Sequence, residues 1–291
     1  MALATLVHTQ GSTYRKPGAR LLVGNDGNTI GVLSGGCLEE EIAERGQAVI
    51  QSGVPKLLQF DTRRLYGCNG QLEVLVERLS PASHHDNLLV AVGERLAARE
   101  SCRIRTRFEK SGKDSLLGSD LLPQHSAITE QPGALIHLAA PSIRLLLFGS
   151  GPEIGPVTRL AEELGWLPEQ IVQPIVLGAD FTPDDRTVAV VMTHNFGRDL
   201  AALSQLLPMR LPYVGLLGPK KRRAELISQL LDYRSLDDDY LSTVHAPAGL
   251  DIGSEAPEEI ALSIISEIAA VLSRRTGGFL RERLRISREH S

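Results

Sequence analysis

The chain has 291 residues, of which 42% are hydrophobic and 23% are charged, and its formal net charge is −4 at pH 7. This composition is typical of a soluble globular protein, and the length favours two domains of ordinary size. The slightly negative charge excludes nonspecific nucleic-acid binding as the main role. No apolar run approaches the roughly 20 residues that a membrane-spanning helix needs. Three cysteines are too few for a disulfide framework, which predicts a reducing, cytoplasmic location.

The first quarter of the chain predicts a strand, a hairpin and a helix. The start of the chain is mostly apolar up to His8 and lacks the basic region of a signal peptide, and residues 2–8 are predicted to form a buried strand. Residues 21–23 and 30–33 flank Asn-Asp-Gly-Asn at 25–28, which predicts a hairpin because Asp-Gly accepts the positive φ of a tight turn. A helix is predicted from about Leu38, with acidic residues in its first turn, where carboxylates favour the helix dipole.

Two of the three cysteines stand in glycine-flanked turns. Cys37 ends a Ser-Gly-Gly-Cys sequence at the predicted helix start, and Cys68 lies in Gly-Cys-Asn-Gly. Their wide separation fits neither a CxxC redox motif nor a zinc ribbon, whereas single thiolates suit a soft metal or sulfur transfer. A helix N-terminus activates a thiol and is expected to offer free backbone N–H groups, so Cys37 is predicted to be functional. Cys102 has no such context and is interpreted as a small, half-buried hydrophobic residue.

The remainder of the first half predicts two strands, a helix and an edge strand. The strands cover 56–61 and 71–79, and the helix covers 86–99. Residues 102–108 are predicted to be an edge strand whose alternating arginines face solvent. The segment 110–133 is rich in Gly, Ser, Pro and Gln and has no regular pattern.

The second half, from a boundary near Pro141, alternates strands and helices, which is typical of a parallel sheet. Strands are predicted at 143–148, 187–193, 213–217 and 241–244, and the last helix begins at Pro257. The predicted fold is therefore α/β. It comprises an N-terminal α+β domain with the hairpin and the glycine–cysteine loops at 1–140, a C-terminal Rossmann-like domain with a parallel sheet at 141–278, and a basic tail at 279–291.

Residues 149–155 follow a strand and open a helix, which is the context of a dinucleotide-binding fingerprint. Gly149 and Gly151 permit close approach of the backbone to a phosphate at the helix N-terminus. Ile154, however, takes the place of the third glycine, and no clear acidic residue follows about 20 positions later. A tight strand-to-helix turn without any dinucleotide is an equally good interpretation.

Other candidate residues lie on loops. His194 follows a predicted strand on the side where α/β proteins bind ligands, and it is an acid–base group, a phosphate donor or simply the end of the strand. Basic residues at 220–222 stand at a further helix start, where they bind an anion or form a solvated face. The loop at 14–20 carries Arg15 and Arg20, whose planar guanidinium groups suit a phosphate or a pterin.

Together these motifs resemble the xanthine dehydrogenase accessory proteins, the XdhC and CoxI family. The likeness spans about residues 2–275, and the matching segments are 11–20, 31–39, 67–70 with Glu77, 192–195, 213–218, 247–253 and 257–261. The resemblance implies a cytoplasmic factor that binds molybdenum cofactor (molybdopterin) and protects it while its sulfido ligand is installed. Such a factor passes the cofactor to a molybdenum hydroxylase apoenzyme such as xanthine dehydrogenase.

The resemblance also implies partners and site residues. A sulfur donor such as a cysteine desulfurase and further copies of the chain are expected partners, whereas nucleic acid and membrane are not. Cys37 is the expected molybdenum ligand, and Cys68 assists it or lies against the same cleft. The expected cofactor-binding residues are Ser34, Gly35, Gly36, Cys37 and Cys68 in the glycine–cysteine loops, and, by the residue chemistry given above and not by the resemblance, Arg15, Arg20, Gly149, Gly151 and His194.

A chaperone of this kind has no turnover chemistry of its own, and two alternatives stay open. One is an NAD(P)-dependent oxidoreductase that uses residues 149–155 and His194. The other is a scaffold between the sulfur donor and the apoenzyme, without affinity for the cofactor.

Three features depart from the family pattern. The chain begins within the first family strand, so a leading helix is expected to be absent. Pro152 stands where the family often has the histidine of Gly-Ala-Gly-His. The second strand of the Rossmann-like domain, with its acidic end, is expected to be shortened between Gly165 and Thr187. The last two features argue against NAD(P) binding and leave the N-terminal half unaffected.

Overall fold

The computed structural model divides the chain into two compact units, Met1–Pro141 and Ser142–Ser291. The structure describes residues 1–11, 13–36, 38–61, 70–84, 86–109, 116–123, 131–172, 177–178, 181–218, 220–233 and 244–282. Cys37, Cys68 and most of the predicted basic tail lie outside these ranges. Within them, no helix is long and apolar enough to cross a bilayer.

The larger sheet of the first unit is antiparallel and is built around the first strand. It consists of β1 (Ala2–Gly11), β2 (Arg20–Val23), β3 (Thr29–Gly31), β4 (Lys56–Asp61) and β5 (Gly70–Arg78), in the order β3-β2-β1-β5-β4. The predicted hairpin is confirmed, because β2 pairs with β3 and Gly24 N–H donates to the Asn28 carbonyl at 2.8 Å across the turn.

Both faces of this sheet are covered. Helix α1 (Glu39–Ser52) packs on one face, where Ile42 joins Ala4 and Leu6 in a buried cluster. Helix α2 (Leu88–Ala97) and a second sheet contribute Leu88 and Ile104 to the cluster on the other face. The second sheet consists of β6 (Cys102–Arg107), β7 (Gly118–Leu121) and β8 (Ala134–Ala139). Successive residues of β1 serve opposite faces, as a central strand requires.

The position of β6 corrects one prediction. It is the central strand of the order β7-β6-β8, so the expected edge strand is wrong. Its arginines do not form a bare solvent face, because Asp120 on β7 pairs with two of them. Arg105 and Arg107 each place a guanidinium nitrogen 2.8 Å from an Asp120 carboxylate oxygen. The opposite side of β6 buries Cys102 and Ile104. Neither β7 nor β8 was predicted.

The second unit is a parallel sheet flanked by helices, as predicted. Its strands are β9 (Arg144–Phe148), β10 (Leu167–Ile171), β11 (Thr187–Val191), β12 (Val214–Leu216) and β13 (Val244–His245), in the order β10-β9-β11-β12-β13. The described helices are α3 (Ile154–Glu163), α4 (Phe196–Leu206), a short 3-10 turn (Leu207–Met209), α5 (Lys220–Tyr233) and α6 (Pro257–Leu272). α4 and α5 cover one face of the sheet, and α3 and α6 cover the other.

The strand order fixes where a ligand would bind. Chain order reverses between β9 and β11, and in such sheets ligands occupy the crevice beyond the carboxyl ends of the strands at this point. The segment between Gly165 and Thr187 forms a strand, β10, that has five residues, as β9 does. Pro168 is tolerated in β10 because that strand lies at the edge of the sheet.

Candidate functional site

The loop before α1 is organised around the carboxylate of Glu39. One oxygen, Oε1, accepts hydrogen bonds from the backbone N–H groups of Leu33 at 2.9 Å and Ser34 at 2.8 Å. The other, Oε2, accepts from the Ser34 hydroxyl at 2.5 Å and from the N–H groups of Gly36 at 2.9 Å and Leu38 at 3.2 Å. The Glu39 carboxylate in the first turn of the helix therefore fixes the preceding loop by hydrogen bonds.

This arrangement sets the electrostatics of the loop. Burial alone would disfavour the charged form, but hydrogen bonds from Ser34 and Leu33 outweigh it and lower the pKa of Glu39 from 4.5 to about 2. The carboxylate is therefore charged at neutral pH. The expectation of free backbone N–H groups here is wrong for Leu33, Ser34, Gly36 and Leu38, because Glu39 already accepts from all four.

The two glycines of the loop keep an exposed surface next to position 37. Both have positive φ, +80° at Gly35 and +108° at Gly36. No described atom lies within 4 Å of a Cβ built on Gly36, whereas the Tyr14 ring lies 3.6 Å from one built on Gly35. Tyr14 is itself 68% exposed. The loop therefore presents bare backbone and an exposed aromatic ring to a ligand.

The two candidate arginines have different surroundings. Arg15 is exposed on its loop. Arg20 is largely internal: its NH1 group donates to the Gly18 carbonyl at 3.3 Å and lies 3.4 Å from His137 Nδ1. Its Nε and NH2 atoms are buried and have no hydrogen-bond partner among the described residues. No described contact brings Arg20 to Gly35 or to the rest of that loop.

Arg20 belongs to a buried polar cluster that sequence reasoning missed. Thr5 lies opposite Arg20 in the β1–β2 pairing, and Glu77 Oε2 accepts from the Ser119 N–H at 2.8 Å. Burial lowers the pKa of Arg20 while the charge of Glu77 opposes that shift, and burial together with Arg20 lowers the pKa of His137. The imidazole and the guanidinium thus share one partly buried site in the first unit.

The second candidate site lies at the crevice between β9 and β11. Gly149 has φ +140°, and a Cβ there would overlap the Met192 carbonyl oxygen, so only glycine lets the two loops meet. His194 also has positive φ, +54°, and its Nε2 lies 3.1 Å from Oε2 of Glu153. Glu153 is 6% exposed. A Cβ on Gly151 would be 2.6 Å from the Glu153 oxygen and 2.8 Å from His194 Nε2.

The structure therefore brings Gly149, Gly151 and His194 together at one crevice and adds Glu153. The glutamate was missed because it is 41 positions from the histidine. The only local signal was its position immediately before the predicted helix, where acidic residues are common for purely structural reasons.

A second carboxylate in the same unit, that of Asp199, binds one of the basic residues at 220–222. Asp199, which is fully buried, accepts from both the backbone N–H and the hydroxyl of Thr193. Arg222 donates to its other oxygen. Lys221, by contrast, is 88% exposed in its side chain. Of these residues, Arg222 is thus paired with a buried acid, whereas the exposed Lys221 lies 3.9 Å from Glu225 on the same helix.

Within the described residues, no three His, Cys, Asp or Glu side chains are grouped so as to hold a metal ion. Cys37 and Cys68 lie outside those residues, so their roles stay predictions.

Comparison with known proteins relates both units to one family. Residues 1–61 match the model of the XdhC and CoxI family, and residues 145–268 match that of the XdhC Rossmann domain. The chain is 29% identical to a Bacillus subtilis (strain 168) protein named as a probable xanthine dehydrogenase subunit, over 91% of each chain. It is 24% identical to PaoD of Escherichia coli (strain K12), named a molybdenum cofactor insertion chaperone, over 92% of this chain and 82% of that protein.

A solved structure gives the same result at the level of the fold. A Bacillus halodurans protein, whose crystal structure is described as that of a xanthine dehydrogenase, is 28% identical to this chain with a TM-score of 0.78. The match covers 96% of this chain and 94% of that one. Because the two family models together match more than half of the residues, and the full-length relatives agree, this chain belongs to the XdhC and CoxI family.

Proposed function

We propose that this protein is a molybdenum cofactor chaperone. It binds the cofactor, protects it while the sulfido ligand is installed, and delivers it to a molybdenum hydroxylase such as xanthine dehydrogenase. Membership of the XdhC and CoxI family supports this proposal. So do the names of two relatives, one a cofactor insertion chaperone and the other a probable component of xanthine dehydrogenase.

The observation that carries the proposal is the loop held by Glu39. Gly36 and Leu38, the neighbours of position 37 on either side, both donate to this one carboxylate. Thiolates are preferred ligands of soft metals, and a ligand is presented best from a fixed backbone. Cys37 is therefore proposed as the molybdenum ligand, with Ser34, Gly35 and Gly36 forming the surface beside it.

The exposure of this loop suits a carrier better than an enzyme. Gly35, Gly36 and Tyr14 are exposed, so a pterin placed against them would stay accessible to a sulfur donor and to a client. An enzyme, by contrast, usually surrounds its ligand in a concave pocket. Of the two arginines, the exposed Arg15 is the better partner for the phosphate of the cofactor, because the described contacts of Arg20 are internal.

The remaining parts of the proposal concern partners. The client is a molybdenum hydroxylase apoenzyme, the sulfur comes from a cysteine desulfurase or another sulfur donor, and the chaperone works as a homo-oligomer. Cys68 assists Cys37 or lies against the same cleft.

The test measures molybdenum and pterin retained after anaerobic incubation with released cofactor and desalting. The parent, Cys37→Ala and Cys102→Ala are compared, the last being a matched control because Cys102 is buried in the same unit. Near-stoichiometric retention by the parent and by Cys102→Ala, with loss in Cys37→Ala, is the expected result. Equal retention by all three would remove Cys37 from the site. No retention by the parent, together with binding to the apoenzyme, would favour the scaffold alternative.

A further inference from the structure

The glycine run of the second unit lies after β9, at the point where the strand order reverses, so it can be compared with what a dinucleotide needs at such a position. In a dinucleotide fingerprint, the first glycine makes the tight turn and the second makes room for the pyrophosphate. The third allows close packing of helix and strand, and an acid at the end of the second strand binds the ribose. Gly149 meets the first requirement, since its φ of +140° and the closeness of the Met192 carbonyl exclude any side chain.

The second requirement is not met, because the space over Gly151 is already filled. A Cβ there would lie 2.6 Å from Glu153 Oε2 and 2.8 Å from His194 Nε2. Glu153 begins α3 as its N-cap residue, and its side chain is held by His194. A carboxylate therefore lies at the positive end of the helix, where a bound phosphate would otherwise gain its stabilisation. A pyrophosphate would meet both a filled space and a like charge.

The remaining requirements are not met either. Ile154 stands in the place of the third glycine and is buried at 6% exposure, while Gly155 faces solvent. β10 ends at Ile171 without an acid. The Gln170 side chain instead donates to the Gly149 carbonyl at 2.9 Å, so it ties the second strand to the glycine turn. Three of the four features thus differ from those of a dinucleotide site.

We propose that Glu153, held in place by His194, is a specificity-determining residue that closes this crevice to NAD(P) and to other phosphate-bearing ligands. A ligand of the crevice would have to present N–H donors or positive charge to the carboxylate. This inference concerns the second unit and is independent of cofactor retention by the loop before α1, so each proposal can fail without the other.

The test uses the full chain and two probes, NADH followed by its fluorescence and inorganic pyrophosphate followed by calorimetry. The parent is expected to bind neither at about 1 mM. Glu153→Gln keeps the shape and removes the charge, and it is expected to bind pyrophosphate at least about tenfold more tightly than the parent. Glu162→Gln, an exposed position at the other end of α3, is the matched control and is expected to behave as the parent does.

Two results would overturn the inference. Binding of NADH by the parent would show that the crevice admits a dinucleotide as it stands. Pyrophosphate binding no tighter than the parent's in Glu153→Gln, which removes the charge, and in Glu153→Ser, which removes the bulk as well, would show that Glu153 is not what excludes it. Should Glu153→Gln fail to fold, Glu153→Ser serves the same purpose, because serine is a favoured N-cap residue without charge.

Discussion

Two glycine-rich loops in this molecule precede helices, and each meets a glutamate at the helix start, yet they are built differently. In the loop before α1, Glu39 accepts five hydrogen bonds from residues no more than six positions away. In the loop before α3, the described hydrogen bond of the Glu153 carboxylate comes from His194, 41 positions away. The first is a local structure, and the second depends on the topology of the sheet.

The comparison separates two uses of glycine that look alike in sequence. Gly36 is needed for its backbone, because its φ is +108° and no described atom would touch a Cβ there. Gly151 has no positive φ, and it is needed for the space that Glu153 and His194 occupy. In neither loop does the glycine pattern imply a phosphate, since the chain supplies its own carboxylate at both helix starts.

The largest effect is expected from Glu39→Gln. An amide offers one acceptor oxygen where the carboxylate has two, so at least two of the backbone donors lose their acceptor. Loss of hydrogen bonds to a charged group should lower the free energy of unfolding of the first unit by about 2 kcal/mol. Hydrogen exchange of the peptide covering 31–40 should become faster. Glu40→Gln, the exposed neighbour in the same turn, is the control and should leave exchange unchanged.

The fluorescence of Trp166 provides an internal control for the Glu39→Gln experiment. Trp166, the only tryptophan, lies in the second unit, so the unfolding transition followed by its fluorescence should not move in Glu39→Gln. A protein in which exchange at 31–40 stayed as slow as in the parent would show that Glu39 does not hold the loop.

Much of the fold was predictable because its signals are local. The hairpin follows from Asp26 and Gly27, because these residues adopt the backbone angles that a tight turn requires. The strands of the second unit follow from their apolar runs. β10 was not predicted because Pro168, Glu169 and Gln170 are not typical strand residues. The sheet tolerates them there because β10 is an edge strand.

Other features depend on partners that are remote in sequence. The arginines of β6 alternate as those of a solvent-facing edge would, but Asp120 on β7 pairs with two of them and the strand becomes central. The pairing of Glu153 with His194 has the same origin, because it exists only when β9 and β11 are adjacent. The bonds to Glu39 were within reach of sequence reasoning, since Ser34 and the glutamate are five positions apart.

The pH dependence of the first loop gives a second test. The pKa of Glu39 is lowered from 4.5 in the unfolded chain to about 2 in the folded one. Its contribution to stability is therefore fully present above about pH 4.5 and is lost as the pH falls towards 2. The difference in unfolding midpoint between the parent and Glu39→Gln should be largest near pH 6 and should shrink on going to pH 3. A difference that stays constant over this range would contradict the lowered pKa.

The smallest effect is expected from Gly151→Ala, and it is the most specific test of the comparison. The new methyl group must displace Glu153 and His194, of which the histidine side chain is 50% exposed and can move, so a cost of about 1 kcal/mol is expected. In a His194→Ala background the cost should fall by about half, because one of the two displaced groups is gone. Gly36→Ala should cost about 1–2 kcal/mol through backbone strain alone, and should not depend on His194. The cost of Gly151→Ala, with and without His194→Ala, is measured from the unfolding transition followed by Trp166 fluorescence. The cost of Gly36→Ala in the same two backgrounds is measured by calorimetry of the full chain. Equal costs of Gly151→Ala in both backgrounds would mean that this turn needs Gly151 for its backbone, as the first loop needs Gly36, and the distinction between the two loops would be lost.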